Sequence, residues 1–386
     1  MNLNSRSKTI QILLFSLIAC IASIDTMYAD CFNSAQAQEK ASSITTHYSF
    51  AADAFYCMDQ VSEAIPKWFL MPDYLHYWHE QYGITEIDRE YLQQYTAIRK
   101  KYITIHDEHP DITIQTIAEA SEGLFASAPD FIDDPIACAF FSSDTIHEAC
   151  TKLIPILTQE EQLFICNFYA HFNSNLEKTL DSYTSEIMQT HVQKQNEFLN
   201  TQTIRDHLEN IRNFYNSTPY QYQAHIVWRP TGRGFCATIY DSHIIIQLSP
   251  DMLPMSQKLF MIYSGVCIHE ATHGFSARAP QEQKKALTQA FITVTGELVD
   301  IQTAAPYGLS TFIEEPLVQI LSQALLYKKQ YPQYFDLDCG AYSHPLVRCY
   351  LPYIEEYFCS NKSIDTNLMQ KLAQAYIAFI NQQNTK

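Results

Sequence analysis

Apolar and polar positions along the chain fall into two regimes. Through residues 30–215 apolar residues recur at intervals of three and four. The clearest case is "SEIMQTHVQKQNEFLNTQTIRDHLENIRNFYN", residues 185–216, and the pattern predicts long helices with one buried face. Asp134-Pro135 and Ser217-Thr218-Pro219 read as loop signals between them. From about residue 216 short β-type runs appear. "AHIVWRP" (224–230) predicts a strand, "TGRG" (231–234) a turn and "FCATIY" (235–240) a second strand. "SHIIIQLSP" (242–250) predicts a third, ended by Pro250 and Pro254. Helices follow. "SQKLFMIYSGVCIHEATHG" has Ser256 as N-cap and Gly274 as C-cap. "QEQKKALTQAFITVTGELVDIQ" (281–302) and "EEPLVQILSQALLYKK" (314–329) supply two more. The expected class is α+β, predominantly helical: a helical region, 30–215, then a domain, 216–386, with a small sheet and a helix of special composition.

The first 29 residues read as an export signal. Arg6 and Lys8 precede the apolar run "TIQILLFSLIACIASI", which is short for a spanning helix. "LIAC" (17–20) resembles a lipobox, which would place a lipid anchor on Cys20; cleavage near Ala22 or Ala29 is the plainer reading. The expected location is therefore outside the cytoplasm, periplasmic or secreted, with no transmembrane span in the mature chain.

Composition adjusts this picture in three places. Glycine is scarce, 9 in 386 residues, which favours helices over a many-turned sheet. The formal charge of −17 repels phosphate backbones and argues against nucleic acid as a partner. Of 11 cysteines, those beyond Cys20 would mostly pair in an oxidising compartment, although their connectivity is not readable.

The chemistry concentrates in "GVCIHEATHGF", residues 265–275. His269 and His273 are four apart, so on a helix both imidazoles share one face and can meet one Zn²⁺ at about 2.0–2.1 Å. Glu270 points about 100° away. From there it can take a proton from a metal-held water without being a ligand. Cys267 lies on the other side of the helix and reads as packing or a disulfide.

HExxH on a helix, preceded by a strand and loop, resembles the zincin superfamily of zinc metallopeptidases over roughly residues 220–350. The metzincin extension is excluded, because Ser276 and Ala279 occupy its glycine and last-histidine positions. The gluzincin branch implies a third ligand, a glutamate on a downstream helix. Glu297 is the first choice: on a helical wheel it falls within about 20° of Ala290, beside a buried stripe, and Gly296 would permit a close approach. Asp300, one turn on, would then hold a ligand histidine. Glu314 and Glu315 are the rivals. Their plain reading is acids at a helix start next to Pro316. "AYSHPLVR" (341–348) resembles a segment of CAAX-prenyl endopeptidases and related proteases, which implies His344 as a donor to the developing oxyanion. Tyr307, Tyr342 and Arg348 are further candidates. The resemblance implies an exported zinc peptidase acting on a peptide or protein, with substrate paired along an edge strand near 243–248. The alternatives are a zincin-like binding module without activity and a structural lipoprotein of the cell envelope.

Overall fold

A computed structural model describes residues 42–64, 72–105, 132–230, 237–240, 242–253, 255–296, 310–335 and 345–383. All lie within one compact unit, Ser42–Lys386. In chain order the elements are β1 (Ser43–His47), α1 (Phe50–Val61), α2 (Pro72–Tyr82), α3 (Glu86–Tyr102), β2 (Thr104–Ile105), β3 (Ile132–Asp133), α4 (Pro135–Phe141), α5 (Ile146–Lys152), α6 (Gln159–Thr179), α7 (Ser182–Leu199) and α8 (Gln202–Tyr215). Then come β4 (Gln221–Trp228), β5 (Ala237–Tyr240), β6 (His243–Leu248), α9 (Gln257–Ala277), α10 (Gln281–Thr295) and α11 (Ser310–Gln319). A π-turn, Ile320–Ala324, runs straight into α12 (Leu325–Gln330), and α13 (Pro345–Cys359) and α14 (Thr366–Gln383) complete the described chain. The fold is α+β and predominantly helical.

The expected boundary near residue 216 is a change of secondary structure, not of domain. β1, from the region read as helical, pairs in parallel with β4, His47 opposite His225. Its alternation of Ile44 and Thr46, both buried, with more exposed neighbours is the short signal that marks it. The sheet order is β1-β4-β6-β5, with β4 and β6 parallel and β5 antiparallel to β6. β6 is thus an interior strand, buried at every position, which explains its run of isoleucines. This corrects the expectation that 243–248 forms an edge: both of its backbone sides are taken, and β1 and β5 are the outer strands.

The 185–216 run forms two helices, not one. Asp181 caps α7 by accepting from Thr184 N at 2.8 Å, and the chain breaks at Asn200 and Thr201 before α8. Asp134-Pro135 is a helix start: Asp134 caps α4 by accepting from Ala137 N at 2.9 Å, with Pro135 in the first turn. Asp134 also belongs to a buried ion cluster between helices. Arg99 donates to Asp59 at 2.8 and 3.0 Å and to Asp134 at 2.8 Å, and Tyr95 donates to Asp59 at 2.7 Å. Arg99 lies over the Phe55 ring at 4.7 Å. Removing the cation would strand two carboxylates in the core, so Arg99→Met is expected to destabilise the fold by about 3–5 kcal/mol. Urea denaturation followed by circular dichroism measures this, and a loss below about 1 kcal/mol would contradict it.

Two glycines set how closely α9 packs. A Cβ on Gly274 would collide with the Tyr222 hydroxyl of β4, and one on Gly265 with the Tyr327 hydroxyl of α12. Gly274 is therefore not the expected C-cap. α9 runs on to Ala277, with Arg278 as its cap. The helix is buried on nearly all sides, from Met261 to Ser276. It sits between the sheet and the α11–π–α12 rod, which fixes the position of His269, Glu270 and His273.

Candidate metal centre

α9 and the α11–π–α12 rod run antiparallel. Gly265 faces Gln323, whose Cγ would lie 3.3 Å from an added Cβ. Two turns further along α9, His273 faces Glu314 and Glu315. The π-turn inserts an extra residue between these contacts. His207 of α8 holds it by donating Nε2–H to the Leu321 carbonyl at 2.7 Å. Burial lowers the His207 pKa to about 4, so it donates as a neutral ring.

Three side chains converge. His273 Nε2 lies 3.2 Å from His269 Nε2 and 3.2 Å from Glu315 Oε2, and His269 Nε2 lies 3.5 Å from Glu315 Oε1. A tetrahedral ion with bonds of about 2.0–2.1 Å separates its ligands by about 3.3–3.4 Å. The two Glu315 distances run to different oxygens; with one atom taken from each side chain the three donors lie within 4.8 Å of one another, close enough to gather on one ion after small rotations. Among the described residues no other group of three His, Cys, Asp or Glu side chains comes together in this way.

The chain matches no family model, no curated protein and no solved structure.

His273 donates Nδ1–H to Glu314 Oε1 at 3.2 Å. That bond leaves the Nε2 lone pair of the neutral ring pointing at the cluster. Glu314 is fully buried, whereas the Glu315 side chain is 32% exposed and that of His269 14%. Solvent thus reaches the cluster from the His269–Glu315 side. In the metal-free chain burial opposes a charge on His273, but the two carboxylates outweigh it and raise its pKa well above the usual value. Burial likewise works against ionised Glu315, yet both imidazoles hold it well below the carboxylate range. A cation is what this donor set favours: a proton on His273 when no metal is bound, or a metal ion taking N, N and O ligands. Glu270, in the same turn, is buried, and desolvation raises its pKa, with His269 and His273 pulling the other way. A base poised nearer neutrality is the result.

The residues expected from sequence separate here. His269 and His273 meet, and Glu270 lies beside them. Glu297, Asp300 and His344 lie outside the described residues, as do Tyr307, Tyr342 and Cys20. The helical-wheel argument for Glu297 loses its basis, however, because α10 ends at Thr295 and Gly296 adopts φ +54°. Gly296 takes a positive φ, which a glycine adopts without strain, and no described residue lies within 4 Å of a Cβ added there. Glu314 and Glu315 are not at a helix start: α11 begins at Ser310, which places both in its second turn with Pro316 inside the helix. The structure brings Glu315 into the cluster and places Glu314 behind His273. An acid pair inside the apolar run "FIEEPLVQIL" was the available signal. His269 Nδ1 is buried and finds no partner among the described residues.

Sequence reasoning missed Gln319. It donates Nε2–H to Glu315 Oε1 at 2.7 Å from one turn away, leaving Oε2 as the oxygen nearest His273. Gln319→Leu is expected to lower zinc affinity roughly 10–100-fold, measured by competition with a chromogenic chelator. Unchanged affinity would remove Gln319 from this role.

Proposed function

We propose that this chain is a zinc-dependent peptidase of the zincin type, with His269, His273 and Glu315 as metal ligands. The carrying observation is the convergence of three donor side chains within 4.8 Å of one another, joined by a buried glutamate one residue from His269. Zn²⁺, when bound by these residues, would supply Lewis acidity and make a water more acidic. Glu270 would be the residue that accepts a proton from the attacking water and returns it to the leaving amine. Glu314 holds the His273 ring in the tautomer that presents Nε2. Gln319 orients Glu315. β5, an outer strand of the sheet in contact with α9, offers unpaired backbone for an extended peptide. His344 remains our candidate for stabilising the oxyanion and Asp300 for partnering His269.

We further propose that the chain is exported by residues 1–29, in keeping with their composition. No described helix is long and apolar enough to cross a membrane. A binding module that has lost activity would have no need of a buried, desolvated Glu270, which favours the enzyme reading.

The function is tested with the full chain, loaded with zinc, against a mixture of quenched fluorescent peptides. Chelator-sensitive cleavage restored by zinc is expected; zinc binding without cleavage of any peptide would leave only the binding module. Zinc uptake also has a proton signature. The two carboxylates favour a proton on His273 when no metal is bound, so binding is expected to expel one proton and affinity to rise about tenfold per pH unit. Calorimetry in buffers of different ionisation enthalpy should count about one proton released; none released would contradict a protonated His273.

A further inference from the structure

The described cysteines Cys57, Cys138, Cys150, Cys166, Cys267, Cys349 and Cys359 are separate thiols. Two of them stand apart from the rest. Cys150, buried in the last turn of α5, and Cys166, half-buried in α6, meet across one side chain, and their thiols lie near enough to interact electrostatically. That side chain is Gln162, whose Nε2 donates to the Cys150 carbonyl at 3.2 Å and to Cys166 Sγ at 3.4 Å. α5 and α6 are consecutive and packed on each other, so both thiols are presented from rigid elements. By contrast, Cys267 is engaged by Gln195 at 3.3 Å in the core, and Cys349 turns to its own helix, 3.9 Å from the Pro345 carbonyl.

We propose that Cys150 and Cys166 are a redox pair that closes to a disulfide stapling α5 to α6. The oxidant is a small-molecule disulfide of the glutathione class. Cys166, the more exposed partner, loses its proton to solvent and its thiolate attacks one sulfur of the oxidant. The S–S bond of the oxidant breaks and one thiolate leaves, taking up a proton. The mixed disulfide on Cys166 is then attacked by Cys150, whose proton passes to the second departing thiolate. Two protein thiols are oxidised and one disulfide is reduced to two thiols, so electrons and protons balance. Cys150 is the more buried of the two, so it meets the oxidant only as the mixed disulfide already carried by Cys166. The closed loop, residues 151–165, is of a length at which a cross-link removes substantial freedom from the unfolded chain.

The test uses the full chain, reduced and then exposed to oxidised glutathione, denatured, alkylated and digested without reductant. Mass spectrometry is expected to find the Cys150 and Cys166 peptides joined. The thermal midpoint should rise by about 5 °C or more, fall back on adding dithiothreitol, and stay unmoved in Cys150→Ala and Cys166→Ala. Alkylation of both thiols after oxidation, a lasting glutathione adduct on Cys166, or either cysteine joined to a different partner would each overturn the proposal. The peptide map of the wild type decides even where a variant folds poorly, and it is independent of the metal centre.

Discussion

Glu270→Gln is expected to lower peptide hydrolysis about 10²–10⁴-fold while zinc stays bound. The side chain keeps its shape but can no longer accept a proton. It is not among the three groups that converge, so the donors His269, His273 and Glu315 are untouched. A buried carboxylate also costs stability, and its pKa is raised by desolvation. The variant should therefore fold at least as well as the wild type, which separates a catalytic loss from a structural one. The pH profile carries the same signature. If Glu270 is the base, the acid limb of the wild-type profile should disappear in Glu270→Gln. Wild-type rates from Glu270→Gln, or zinc lost with it, would place the base elsewhere.

Glu315→Gln is expected to weaken zinc binding by more than the roughly 10–100-fold that loss of an outer partner costs. Glu297→Gln should leave zinc affinity within error. The pair of variants measures the choice between two readings of one sequence. Glu315 has both imidazole Nε2 atoms within 3.5 Å of its carboxylate. The argument for Glu297 needed a helix that ends before reaching it. A neutral amide at 315 would also relax the raised His273 pKa, since Glu315 is one of its two causes. Zinc retained in Glu315→Gln and lost in Glu297→Gln would reverse the assignment.

What the sequence revealed and what it hid follow one division. His269, Glu270 and His273 were legible because a single helix carries them and the 3.6-residue repeat fixes their relative directions. α9, β4, β6 and the helical run before them were legible for the same reason, since local periodicity encodes them. Interior or edge status of β6 was not legible: a run of isoleucines says buried, but which strands flank it depends on β1, far away in sequence. The choice between Glu297 and the Glu314–Glu315 pair was not legible either. Glu315 reaches His273 across a helix pair whose approach is set by Gly265 against Tyr327, by Gly274 against Tyr222 and by a π-turn. None of these leaves a periodic trace. Gly296 misled because a glycine's positive φ and a glycine's close approach look identical in one letter.

The most direct test of the account is zinc K-edge X-ray absorption on the zinc-loaded chain, with metal content measured on the same sample. The prediction is one zinc per chain, bound by two imidazole nitrogens and by carboxylate and water oxygens, with one imidazole lost from the spectrum in His273→Ala. A chain that takes up no stoichiometric zinc, or a spectrum with sulfur ligands or with imidazole signals indifferent to His273, would contradict it.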